Sequence, residues 1–161
     1  MRERWIYSCA ALTVSCLFWQ IASAQDEGSA RHFLEGVYSH YGKHSSPNEL
    51  FGSSLSQVFA PSLVELVRTD RTALKGEAGV LGMDPICACQ DYDISSLQLH
   101  FEARTDKRLG ATATFDNLGR STVVHLDLVP VGDRWRIDDI QTPGMDSLRR
   151  ALGREIASQK K

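Results

Sequence analysis

The 161-residue sequence has almost no excess of charge, with 18 Lys and Arg against 20 Asp and Glu, a formal net charge of −2. A chain so near neutrality lacks the basic surface that holds a phosphate backbone, which argues against a nucleic-acid partner. Four cysteines and five prolines are too few for a disulfide-stapled miniature or a proline-rich spacer. The sequence contains no Gly-rich phosphate loop after a strand, no Gly-x-Ser-x-Gly elbow and no His-Glu-x-x-His helix, so the common nucleotide, hydrolase and metalloprotease chemistries have no motif to rest on. Internal repeats and low-complexity tracts are missing as well. What is present, 42% apolar and 24% charged residues, is the balance of a globular chain, and the length suits one domain.

The one long apolar run lies at the start. Arg2 and Arg4 precede a stretch from Trp5 to Ile21, and Ala22-Ser23-Ala24 follows. A basic start, an apolar middle and a small-x-small exit form a secretory signal peptide, residues 1–24, with cleavage between Ala24 and Gln25. The run is interrupted and at the short end of what a membrane span needs, so no transmembrane helix is expected after cleavage. The expected location is periplasmic or secreted. A rival reading is a lipoprotein anchored at Cys16, because Thr13-Val14-Ser15 places small residues before that cysteine, although the usual Leu three residues earlier is Thr13. Cleavage removes Cys9 and Cys16 and leaves Cys87 and Cys89 in a compartment that favours disulfides.

Residues 25–161 read as one domain with its core at about 30–152. Phe33, Leu34, Val37, Tyr38 and Tyr41 recur at the spacing of one helix face, which predicts a helix from Ala30 to Tyr41 capped by Ser29 and closed by Gly42. Ser45 to Ser54 reads as a connection with a short helical turn at Asn48 to Phe51. A second helical region runs from Leu55 to about Leu74 with a break at Ala60-Pro61. Lys75 to Asp93 has no periodicity and forms a long loop. The period then changes to two. Leu97, Leu99, Phe101 and Ala103 alternate with polar residues; Ala111, Ala113 and Phe115 follow; Val124, Leu126 and Leu128 line a third strand; Arg134 to Ile140 makes a fourth. Short turns at Asn117-Leu118-Gly119 and Gly132-Asp133 imply an antiparallel meander. Asp146 is the expected cap of a last helix carrying Leu148, Leu152 and Ile156. The fold class is therefore α+β, N-terminal helices packed on a curved four-stranded antiparallel sheet with a C-terminal helix. If that sheet coils around the first helix it forms a half-open cone with an apolar cavity at its mouth.

The candidate chemistry sits in the long loop. Cys87 and Cys89 read as a static bridge, as two buried thiols, or as a redox-active pair, and their spacing is poor for a metal. Asp84, Asp91 and Asp93, with Gln90 beside them, offer either a polar cluster at the cavity mouth, one acid poised for proton transfer, or the side-chain-to-backbone bonds that shape a loop. Tyr38 and Tyr41 are core residues whose hydroxyls could reach a pocket rim. On Asp138-Asp139 one carboxylate is expected to pair with Arg149 or Arg150. His40 and His44 have helical spacing interrupted by Gly42, so neither a metal site nor a cofactor is predicted.

Asp84-Pro85-Ile86-Cys87-Ala88-Cys89-Gln90-Asp91 carries a family resemblance, together with Phe33-Leu34-x-x-Val37-Tyr38-x-x-Tyr41, Leu55-x-x-Val58-Phe59-x-Pro61-Ser62-Leu63, Trp135-Arg136-Ile137-x-Asp139-Ile140 and Ser147-Leu148-Arg149. Over about Ala30 to Leu152 the chain resembles the DUF3828 family of exported bacterial proteins, a branch of the NTF2-like (cystatin-like) superfamily. The resemblance implies an NTF2-like cone and a cell-envelope setting, and it carries over no catalytic residue. The principal expectation is a non-catalytic module that binds an envelope protein partner or a small ligand near the Asp84 to Asp91 loop. The alternative is an isomerase, dehydratase or thiol-redox enzyme using Asp84, Asp91, or Cys87 and Cys89. Gln98, His100, Glu102 and Arg104 make the outer sheet face polar, so a monomer and a homodimer are equally compatible with the sequence.

Overall fold

The computed structural model describes residues 27–42, 47, 50–104 and 107–159. The expected leader with Cys16, the segment holding His44, and Asn48 of the expected short turn lie outside them. Residues 27–38 form helix α1, which tightens into a 3-10 turn at Ser39–Tyr41 before Gly42 leads the chain away in an extended conformation. Ser29 is therefore inside the helix rather than its cap, and its hydroxyl accepts a 2.8 Å hydrogen bond from the Trp135 indole.

The second helical region is divided where the sequence divides it. Helix α2, Leu55–Val58, ends at Phe59, and α3, Pro61–Leu74, begins with Pro61 in its first turn. Proline forces the preceding residue out of the helical region. Ala60 is accordingly extended, with φ −61° and ψ 147°, and donates its N–H to the Ile137 carbonyl at 2.8 Å.

Strands β1 Ile94–Ala103, β2 Leu109–Asn117, β3 Arg120–Val131 and β4 Arg134–Gln141 form one antiparallel sheet in the order β1-β2-β3-β4. The two-residue turn into β3 places Leu118 and Gly119 at φ 52° and 79°, the left-handed pair that matches the twist of a hairpin. The expected alternation holds along β2 and β3, with Ala111, Ala113, Phe115, Val124, Leu126 and Leu128 buried. In β4 it slips, because Ile137 and Ile140 are both fully buried. Register explains this: Asp127 pairs with Asp139 and Leu128 with Ile137, so Asp138 is an extra residue. The bulge restores the apolar phase and turns both neighbouring acids toward the C-terminal helix.

That helix, α4, spans Leu148–Ser158 and buries Leu148, Ala151, Leu152 and Ile156. Its cap is Ser147, not Asp146: the Ser147 hydroxyl accepts from the Arg150 N–H at 3.1 Å and donates to Asp139 Oδ2 at 2.6 Å. Asp139 Oδ1 also accepts from the Arg149 N–H at 3.0 Å, so a strand carboxylate meets the positive end of the helix. The neighbouring Asp138 holds the Arg149 and Arg108 guanidinium groups, each at 2.9 Å. Leu34, Leu63, Val67, Phe59, Ile86, Leu126, Ile137 and Leu152 share a continuous apolar core.

Ser147→Ala removes the cap and leaves Asp139 without its hydroxyl donor. The expected cost is about 1–2 kcal/mol of unfolding free energy, measured as a lower urea midpoint with unchanged slope.

Candidate functional site

The long loop is ordered by its own residues. After Leu74 the chain turns through Lys75 at φ 52°, makes a 3-10 turn at Val80–Gly82 and enters a tight bend closed by two backbone hydrogen bonds between Asp84 and Cys89, of 2.9 and 3.2 Å. Asp84 shapes that bend from inside: its Oδ1 accepts the Ile86 N–H at 2.8 Å, the short-range bond by which aspartate builds a turn over a following proline. Ala88 takes a left-handed φ of 51°, and this brings Cys87 and Cys89 to a Cα separation of 5.1 Å with their sulfur atoms at bonding distance.

The bend is fastened to α1 by the two tyrosines. Tyr41 donates its hydroxyl proton to Asp84 Oδ2 at 2.6 Å, and Tyr38 donates to the Ile86 carbonyl at 3.0 Å. Both rings are core residues, as their spacing predicts, Tyr38 being 4% and Tyr41 0% exposed, because they pack on each other, on Phe115 and on Tyr92; their hydroxyls are spent on the bend and neither lines the pocket beside it. At the far end of the loop Asn117 brackets the chain, donating to the Asp91 carbonyl at 3.0 Å and accepting from the Asp93 N–H at 2.9 Å. Ile86, at 0% exposure, carries the bend into the core.

Electrostatics follow from this enclosure. Burial pushes the Asp84 carboxyl above its ordinary value, against the hydrogen bonds from Tyr41, Ile86 and Cys87, which favour its charged form. Burial and the adjacent Asp84 charge push both tyrosine hydroxyls far up, so they act only as neutral donors.

Asp84 and Pro85 also form one wall of a pocket of about 310 Å³, completed by Pro47, Phe51, Gly52, Arg71 and Leu81. Cys87, Cys89, Gln90 and Asp91 do not line it. The cysteines face the core, the Gln90 amide is 3.5 Å from the Gly82 carbonyl, and Asp91 is exposed. Arg71, which the sequence reading passed over, reaches across from α3 and donates to the Phe51 carbonyl at 2.8 Å. Nothing in its spacing distinguishes it from any other exposed helix residue. A larger hollow of about 470 Å³ lies between α3 and α4, but it is an open groove edged by Glu65, Arg68, Thr69 and Thr72 and lacks a buried polar group among its lining residues. Among the described residues no group of three or more His, Cys, Asp or Glu side chains could hold a metal, and no helix is long and apolar enough to cross a membrane.

No family model, curated protein or solved structure matches the chain, and the resemblance to the DUF3828 family stands on its motifs alone.

Tyr41→Phe deletes a donor to a buried carboxylate. The Asp84 pKa is expected to rise further and stability to fall by about 1–3 kcal/mol. Because the folded pKa already exceeds the unfolded value of 3.8, the contribution of Asp84 is full below that value and is lost as pH rises through the folded pKa. Carboxyl-carbon titration by NMR in the two proteins checks the shift, and urea melts at several pH values check the sign.

Proposed function

We propose that the chain is an exported, non-catalytic binding module of NTF2-like type, with its ligand site at the pocket beside the Asp84 to Asp91 loop. The observation that carries this reading is the pocket itself. It is built on one half-buried acid and one guanidinium, with Phe51, Leu81 and two prolines as apolar walls, and about 310 Å³ is the low end of the small-molecule range. Arg71 supplies the point of polar recognition, which favours a small organic anion with an apolar body over a cation.

The arrangement of Asp84 supports binding over proton transfer. Each of its oxygens already accepts a hydrogen bond, one from Ile86 and one from Tyr41, so its position is set by the bend and the helix, which suits a fixed wall better than a proton-transfer group. Thiol chemistry is disfavoured on the same physical ground, since Cys87 and Cys89 are 1% and 8% exposed and a nucleophilic thiolate needs access. We read them as a bridge that keeps the bend closed in an oxidising compartment.

Two measurements test this reading. Titrating the protein with benzoate and with hexanoate should shift the NMR signals of Leu81 and Phe51 first, and Arg71→Ala should weaken the effect at least fivefold. Shifts that ignore these residues would remove the site. Intact mass of protein recovered from an exporting bacterial host should correspond to a start at Gln25, with two hydrogens missing and no alkylation before reduction. A lipid adduct on Cys16 or two free thiols would overturn, respectively, the soluble form and the bridge.

A further inference from the structure

Helix α3 buries an acid that the binding reading does not use. Asp70 stands on the same face as Leu63, Val67 and Leu74, is 1% exposed, and its Oδ1 has no hydrogen-bond partner. The group it meets is another acid, Glu155 of α4, to which its side chain is hydrogen-bonded. A hydrogen bond between two carboxyl groups requires a proton on one of them, and like charges in contact away from water do not both ionise.

Glu155 has a second contact. Its Oε2 accepts the Val80 N–H at 2.8 Å, a bond that joins α4 to the loop across 75 positions. The preceding residue, Gly79, leaves no room for a side chain: a Cβ there would collide with the Glu155 carboxylate and with Leu74. The loop therefore lies directly on the Glu155 member of the acid pair. The next residue, Leu81, is a wall of the pocket, and Asp84 follows three positions later.

We propose that Asp70 and Glu155 form a proton-operated latch, in which one shared proton holds α3, α4 and the Val80–Gly82 turn together and its loss releases that turn. Deprotonation puts two charges in contact. The half-exposed Glu155 can relieve the repulsion by swinging toward solvent, and it then gives up the Val80 N–H. The charged groups acting on Asp70 are Glu155 across the helix pair and Arg71 beside it on α3, while residues 79–82 bring no titratable side chain. Burial, then the Glu155 charge and hydrogen bond, push the Asp70 carboxyl up to about 6, and Arg71 opposes them.

The sign is set by that direction. A folded pKa raised above the ordinary value of 3.8 makes the latch fully closed below that value and progressively weaker as pH rises through about 6. The latch does not depend on the pocket having a ligand, so its test contains none. Hydrogen exchange at the Val80 amide, corrected for intrinsic chemistry, should show an opening constant that rises up to about tenfold per pH unit between pH 4 and 6. Glu155→Gln keeps an acceptor for Val80 and offers Asp70 a donor, and Asp70→Asn offers Glu155 a donor; both should hold the constant flat. A pH-independent constant in the native chain, or a slope that survives in both variants, would overturn the latch. If neither variant folds, carboxyl-carbon titration of the native chain decides, since ordinary values at both Asp70 and Glu155 refute it and a raised value at either one supports it.

Discussion

A carboxylate drawn into a protein interior must find donors or lose its charge, and the solution found for Asp84 organises the neighbourhood around it. Its donors come from Tyr41 on the turn after α1 and from the N–H groups of the bend it begins. Satisfying them fixes the end of α1 against the loop, points Ile86 into the core and positions Ala88 so that Cys87 and Cys89 converge. The pocket wall is a by-product of that solution, because the same bend presents Pro85 and the edge of Asp84 outward.

The other acids work in the same manner, as joints between elements. Asp139 receives the first turn of α4, Asp138 gathers two guanidinium groups from distant parts of the chain, and Glu155 holds the loop. These are charge-to-backbone bonds or a carboxylate shared between two guanidinium groups, which keep their worth at a partly buried site better than a solvated surface pair does. Composition conceals this. A formal charge of −2 describes the sum over the chain, while the fold depends on where particular carboxylates meet N–H groups.

Periodicity exposed the elements well where one face was clearly dry. The four strands, both short turns and the break at Ala60-Pro61 follow from alternation and backbone sterics, and the structure differs from them mainly at the ends, as with β1 beginning at Ile94 rather than Leu97. The bulge at Asp138 was not legible, since two adjacent acids on a strand look like one inward and one outward residue until pairing is known. Choosing Asp146 over Ser147 as the cap failed for a related reason: both are good capping residues, and the Asp139 carboxylate that accepts the Ser147 hydroxyl and decides between them lies on another element. Asp70 left a trace that went unread, a charge at the position between Val67 and Leu74 on an apolar stripe. Arg71 left none, because its role comes from the distant Phe51 carbonyl and from a cavity that only the folded chain encloses.

The sheet is open, so each outer strand carries backbone groups with no strand beside them. On β4 the extended Phe59-Ala60 segment pairs with Ile137, and the Arg136 guanidinium reaches the Ser56 carbonyl at 3.1 Å. On β1 the Arg31 guanidinium caps the Leu99 carbonyl at 3.2 Å, and the register breaks between Ser95 and Gln98, with Ser96 at φ 55°. A foreign strand approaching either margin meets an occupied carbonyl or a kinked backbone. Edge protection of this kind is local: it interrupts each margin at a few positions and depends on two arginines, one proline-enforced extension and the irregularity at Ser96 rather than on closure into a barrel.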